Sequence, residues 1–352
     1  MEAVSRNIGG CFQKIMKRII YLAVFLSVAA APGWSSPLQR ELVAPDAKWL
    51  LHVDLENFRQ TKLGSFVVHE VMEQALKEVK TNLKFDAVHV FSKLKSVTAY
   101  GSDYEMGKEA KGVVVVKTDV ETRKALEGLL VAQILQNTNG PIRKVQNEPF
   151  TVYTMNNDIF ASAHEGILLL GKSRSQLERT HEIIAGKTRG LKNGKAFSDF
   201  PETPNGFFFL AVAESFGQNQ NIPPQARILQ MADGARIVLG ERADNLFLNL
   251  ALKGKTAAVT KEIQQVIEGM VALVSLGQSE NKELMQLVKS TRVSGADRIV
   301  NLALEFPIAD AIQKVRAEAN KKAAKTGAKK RHRNDLEKAE ATPPTNAQGK
   351  ND

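Results

Sequence analysis

The sequence predicts an α+β protein of two quasi-repeated halves, mainly antiparallel sheets with helices packed on one face. Three observations lead there. Short runs of branched and aromatic residues are bounded by turn residues, as strands are. Several runs stand in pairs across tight turns, which is how antiparallel neighbours are joined. And each half opens alike: an apolar strand at 48–55 starts the first, and Phe207-Phe208-Phe209-Leu210-Ala211-Val212-Ala213-Glu214 starts the second.

The chain begins with an address. Lys14, Lys17 and Arg18 precede the apolar run 19–30, and small residues follow. That order marks a secretory signal peptide over residues 1–35. The run is shorter than the roughly 20 residues that span a bilayer. Pro32 disfavours cleavage after Ala31, so the expected cut follows Ser35, and Met16 is a more natural start than Met1. The alternative is an uncleaved N-terminal membrane anchor.

In the strand at 48–55, alternation puts Trp49, Leu51, Val53 and Leu55 on one face and Leu50, His52 and Asp54 on the other. The second face reads as a polar, solvent-facing side. A short link at 56–60 leads to a helix in which Leu63, Phe66, Val67 and Val71 recur at spacings of three and four. Helical pattern continues over 75–84. Strands follow at 95–101 and 112–117, and Asp119 is placed to cap a helix carrying Leu126, Leu129, Leu130 and Ile134. The runs 150–154 and 159–163 form a hairpin across Asn156-Asn157-Asp158. A strand at 166–171 precedes a helix capped by Ser173. Residues 186–205, with repeated Gly, Lys and Pro, read as a linker.

The second half repeats the order. After its first strand come a helix around 225–231, then strands at 235–240 and 246–252 about the turn Ala243-Asp244-Asn245. A helix over 256–276 follows, then strands at 292–294 and 298–304 about Gly295-Ala296-Asp297, and a helix from Pro307. The expected organisation is a signal peptide at 1–35, halves at 37–200 and 201–320, and a disordered basic tail at 321–352.

Charge supports that division. Of the net +10, residues 1–36 hold four Lys/Arg against one Glu, and residues 313–352 hold eleven against five acidic groups. The body between them is almost neutral, so a basic surface shaped for nucleic acid is not expected. The single cysteine, Cys11, lies in the leader, which leaves the exported body without thiols or disulfides.

Motif matches fail on mechanism. Gly166 to Ser173 has phosphate-loop spacing, but its four intervening residues are large and apolar, so they form a strand and not an anion cradle. Ser92-Lys93-Leu94-Lys95, Ser279-Glu280-Asn281 and Lys325-Thr326-Gly327 follow the order of penicillin-binding enzymes in the wrong structural settings. His69-Glu70 and His181-Glu182 lack the second histidine one turn on that a zinc site needs. His52 and Asp54 share a strand face and form the one candidate acid–base pair. Trp49 and the stripe Ile263, Ile267, Met270, Val271 and Val274 read as core. No catalytic, cofactor or metal residue is therefore assigned, and no cofactor is expected. Lys329, Lys330, Arg331 and Arg333 are the candidate polyanion contacts.

The layout, with Ala44-Pro45-Asp46-Ala47-Lys48-Trp49 running through Leu55, resembles secreted bacterial proteins of uncharacterised activity that carry an export signal and a βα-rich body. The resemblance implies no site. The expectation is a secreted or periplasmic, non-enzymatic binding or envelope-associated protein. An exported hydrolase is one alternative, and a protein binding polyanions or membrane surfaces through its basic tail is another. The partners expected are an anionic envelope surface or another envelope protein, with no specific nucleic acid.

Overall fold

A computed structural model describes residues 37–72, 87–104, 112–136, 142–146, 150–155, 159–191, 196–215, 228–277 and 282–320. The expected signal peptide, the helix at 75–84, the Asn156–Asp158 turn, Ser279–Asn281 and the basic tail lie outside the described residues.

The strands are β1 (Trp49–Asp54), β2 (Ser96–Gly101), β3 (Gly112–Lys117), β4 (Ile142–Gln146), β5 (Val152–Met155), β6 (Ile159–His164), β7 (Ile167–Gly171), β8 (Phe207–Glu214), β9 (Ala232–Arg242), β10 (Asn245–Gly254), β11 (Arg292–Ala296) and β12 (Ile299–Pro307). The helices are α1 (Leu55–Gln60), α2 (Lys62–Phe66), α3 (Ala87–Lys93), α4 (Val120–Gln136), α5 (Arg174–Ile184), α6 (Ile228–Met231), α7 (Ala257–Gly277) and α8 (Lys282–Ser290). A π-helical turn, Val67–Met72, extends α2. Residues 308–320 are also helical, and a second compact unit begins at Ala309.

All twelve strands join one antiparallel sheet, ordered β11-β12-β10-β9-β8-β1-β2-β3-β7-β6-β5-β4. The α+β class is therefore the one expected. At the centre β1 pairs with β8, so the strands that open the two halves are direct neighbours. Outward from them the order runs β1-β2-β3-β7-β6 on one side and β8-β9-β10-β12-β11 on the other. On each side three strands meander, a helix intervenes, and a hairpin returns with its second strand against the third strand of the meander.

Turn chemistry holds the register. Three two-residue loops join β6 to β7, β9 to β10 and β11 to β12, and each places its first residue at positive φ: Glu165 at 47°, Ala243 at 52° and Asp297 at 51°. Tight hairpins need that conformation because its twist matches that of the strands. The last turn falls at Asp297 and Arg298, later than the sequence reading placed it, so Gly295 and Ala296 belong to β11.

The helices divide between the two faces of the sheet, where the expectation had them on one. Following the register outward from Leu50, its face carries Tyr100, Val113, Val212 and Ala251. These pack beneath Leu177 and Ile183 of α5, beneath Val43, Ala44 and Ala47, and against Leu191 and Phe200. On the opposite face Leu252, Val300 and Ala232 pack beneath Ile263 and Ile267 of α7. Both faces are apolar along much of the sheet, so both need cover. Each fully buried leucine contributes about 1.5–3 kcal/mol. The described residues of the expected linker at 186–205 form no α-helix or strand, yet they pack: Leu191 and Phe200 are buried, and Arg40 Nη2 donates to the Ala196 carbonyl at 2.8 Å.

Two expectations for single elements change, and three elements were not anticipated. Residues 56–60 are not a link but α1, begun by the Asp54 side chain, which accepts from Asn57 N at 2.9 Å. Strand β4 and helices α3 and α8 had no expectation behind them. The α7 stripe splits: Ile263 and Ile267 are core, while Met270 is exposed together with Val266, Leu273 and Leu276, the last at 79%. Among the described residues, no helix is long and apolar enough to cross a membrane.

Candidate functional site

The polar groups of the body gather mainly at the two ends of the central strands. At one end stand the sequence's candidate pair, His52 and Asp54. Alternation does place both on one face of β1, but that face is buried, and the expected solvent-facing side is not found: His52 is 1% exposed and Asp54 0%. The cause is the β1–β8 pairing, which puts β1 in the middle of the sheet with α1 folded back over its end.

Both side chains serve the fold. His52 Nδ1 is 2.8 Å from Thr98 Oγ1 on the neighbouring strand, and its ring lies 6.3 Å from that of Phe207. Asp54 is the N-cap of α1, an arrangement that satisfies an otherwise orphaned helical amide. Asn57 then donates through Nδ2 to the Phe207 carbonyl, tying α1 to β8.

Charged groups ring this end. Arg59 is buried and donates through Nη1 to the Leu94 carbonyl at 2.6 Å. Burial lowers its pKa, against the pull of Glu56 and Asp54. Burial likewise raises the Glu56 carboxyl, which Lys95 and Arg59 oppose. Lys117 donates to Gln39 Oε1 at 3.0 Å, and its ammonium is pushed down by burial and then by Lys95. Cations and carboxylates thus compensate one another around α1. The arrangement seats a helix on a strand.

At the opposite end, Lys253 of β10 faces three carboxylates: Asp199 at 2.6 Å, Glu214 at 3.4 Å and Asp233 at 3.9 Å. Burial alone would pull its ammonium down, but Asp199 and Glu214 outweigh that and raise it. Arg298 adds a contact to Asp233 at 3.7 Å and donates through Nε to the Gly254 carbonyl at 3.0 Å. Beside them the single O–H of Tyr104 is shared between the carbonyls of Lys48 and Glu214, and burial pushes its pKa up to about 12.

A third group joins β6 to α5. His181 stacks on Phe150, with centroids 3.8 Å apart and planes within 8°. His164 meets His181 edge-on at 5.0 Å. Burial lowers the His181 pKa, and His164 and Lys187 push it the same way against Glu182.

No set of three metal-ligating side chains converges among the described residues. Trp49 lies half-buried across Gly101 and Gly112, with Nε1 donating to the Asp103 carbonyl at 2.7 Å. The phosphate-loop spacing at 166–173 resolves into the turn at Gly166, strand β7 and Ser173 as the cap of α5. The candidate polyanion contacts Lys329, Lys330, Arg331 and Arg333 lie outside the described residues. Sequence reasoning missed Lys253 and Arg236, although a signal was there: each interrupts an apolar strand at a position of core parity.

No family model matches the chain, and no curated protein sequence matches it. Among solved structures it is similar to three crystal forms of TP0453. Form IV aligns at 11% identity and a TM-score of 0.42, covering 80% of this chain and 97% of that one. Form III gives 9%, 0.43, 77% and 95%, and form I gives 11%, 0.41, 80% and 98%.

Proposed function

We propose that this chain is an exported, non-enzymatic protein that binds a partner or associates with the cell envelope. One observation carries the non-enzymatic half of the reading. The residue pair best suited to acid–base chemistry is buried and occupied in holding β2 and α1 in place. A general base must reach the proton it abstracts. The apolar side chains exposed on α4 and α7, among them Leu135, Leu273 and Leu276, support a binding role, since such groups gather where proteins meet partners or lipid. The export half rests on the basic-then-apolar leader. The matching order of strands on the two sides of β1–β8 supports the further reading that the body arose from an internal repeat.

Cell fractionation with N-terminal sequencing of the mature protein tests export. The expected product begins after Ser35 and lies outside the cytosol, whereas a cytosolic chain still carrying residues 16–35 overturns the reading. A hydrolase screen tests the other half. Turnover that disappears in a folded His52→Gln variant overturns it.

The charge surplus of the tail favours a second reading, attachment to an anionic envelope surface through Lys329, Lys330, Arg331 and Arg333. Binding to anionic vesicles that weakens with salt, and that is lost when residues 321–352 are deleted, supports it.

A further inference from the structure

Two arginines of the body are buried to the same extent, each 6% exposed, in different surroundings. Arg59 sits among carboxylates: both Glu56 and Asp54 favour its charge. Arg236, in the middle of β9, has no such company. It forms no ion pair with any described carboxylate, and Nη2 donates at 2.9 Å to a neutral acceptor, Thr203 Oγ1. Burial is the one influence on its pKa, which it lowers. A guanidinium nevertheless stays charged in proteins. Unlike Arg59 Nε, no Arg236 nitrogen is enclosed without a partner, so its remaining N–H groups stand where a solute can reach them.

The carboxylates along the same strands are committed elsewhere. Glu214 stands two residues along from Val212, the β8 partner of Arg236. Its Oε1 meets Lys253, and its Oε2 accepts from Phe197 N at 3.0 Å. Asp199 and Asp233 serve Lys253 and Arg298. Next to Arg236 in the register are Val212 on one side and Ala251 on the other, and Ala251 presents only a methyl group. Asn301, half-buried, follows on β12. Thr203 belongs to the irregular segment 201–204, whose Glu202 is exposed. The guanidinium therefore has four N–H donors beyond the one on Thr203, in a fork that suits two parallel bonds to an oxyanion.

We propose that Arg236, with Thr203 beside it, is the binding site for a small oxyanion, the carboxylate or phosphate group of a ligand. The site does not depend on export or on the basic tail, so its test stands apart from theirs.

The purified full chain is titrated with inorganic phosphate, with acetate, and with sodium chloride at matched ionic strength, while its thermal unfolding midpoint is followed. The expected result is a saturating rise with phosphate or acetate that chloride does not reproduce, since a ligand that binds only the folded state stabilises it. The arm that saturates at the lower concentration tells phosphate from carboxylate. Arg236→Met abolishes the rise. Arg236→Lys weakens it roughly tenfold, because an ammonium keeps the charge but not the fork. Arg292→Met, which removes an exposed arginine on the edge strand, leaves it unchanged. Should the Arg236 variants fail to fold, the wild-type arginine Nε–H resonances give a second readout, in which one of them shifts saturably with the anion. Equal responses to all three salts, or an anion response that survives Arg236→Met, overturn the proposal.

Discussion

Replacing Asp54 with alanine tests whether the candidate acid–base pair is structural. The substitution removes the acceptor for Asn57 N, a bond of 2.9 Å at a position that water does not reach. Losing an N-cap costs about 0.5–2 kcal/mol, and burial puts this one at the upper end. The change also removes one of two negative charges that support the buried Arg59. Weakening a buried charge pair adds roughly 1–2 kcal/mol. The expected total for Asp54→Ala is about 3 kcal/mol. Asp54→Asn caps as well as aspartate does, so it keeps the first contribution and loses only the second, about 1–2 kcal/mol. Urea unfolding followed by tryptophan emission measures both. Equal losses in the two variants refute the capping argument. A stable Asp54→Asn protein that has lost a measurable turnover refutes the assignment of Asp54 to structure alone.

Further outcomes follow from other parts of the molecule. A Cβ added at Gly101 would lie 2.7 Å from three atoms of the Trp49 indole, which its bond to Asp103 holds in place. Gly101→Ala is therefore expected to cost about 1–3 kcal/mol and to shift the tryptophan emission, whereas Gly128→Ala, with open space around it, does neither. Because the His181 pKa is lowered in the folded state, the unfolded chain binds that proton first. Stability falls as pH drops through about 6.5 and levels off below the folded value, and His181→Asn flattens that part of the urea-midpoint profile. Leu169→Ala, at a site with no exposure, is expected to lose about 2–5 kcal/mol by the same unfolding measurement.

Much of the secondary structure was legible because local signals are strong where they occur. The run of valines in β3, the triple phenylalanine of β8, and the caps Asp119 and Ser173 all announce themselves within a few residues. Asp54 was harder to read. An aspartate at the end of a strand serves equally well as a surface group, a catalytic acid or a cap, and only the turn of the chain into α1 selects among them. The edge strand β4, with Arg143 and Lys144 at its centre, lacks the apolar alternation that marks a buried strand, which is why no expectation covered it.

By itself the sequence determined where most of the strands lie, which of their residues share a face, and that the charge gathers at the two ends of the chain. These depend on neighbours within a turn or two, and such neighbours are written next to one another. Only the tertiary structure decided that β1 and β8 meet to make a single sheet, that both of its faces are covered, and that His52 and Asp54 are enclosed while Arg236 is buried without a carboxylate. Most of those facts arise between residues well separated along the chain, from 33 positions for Thr203 and Arg236 to 150 for Asn57 and Phe207. Nothing in a local window records which distant group a side chain will meet, or which one it will lack.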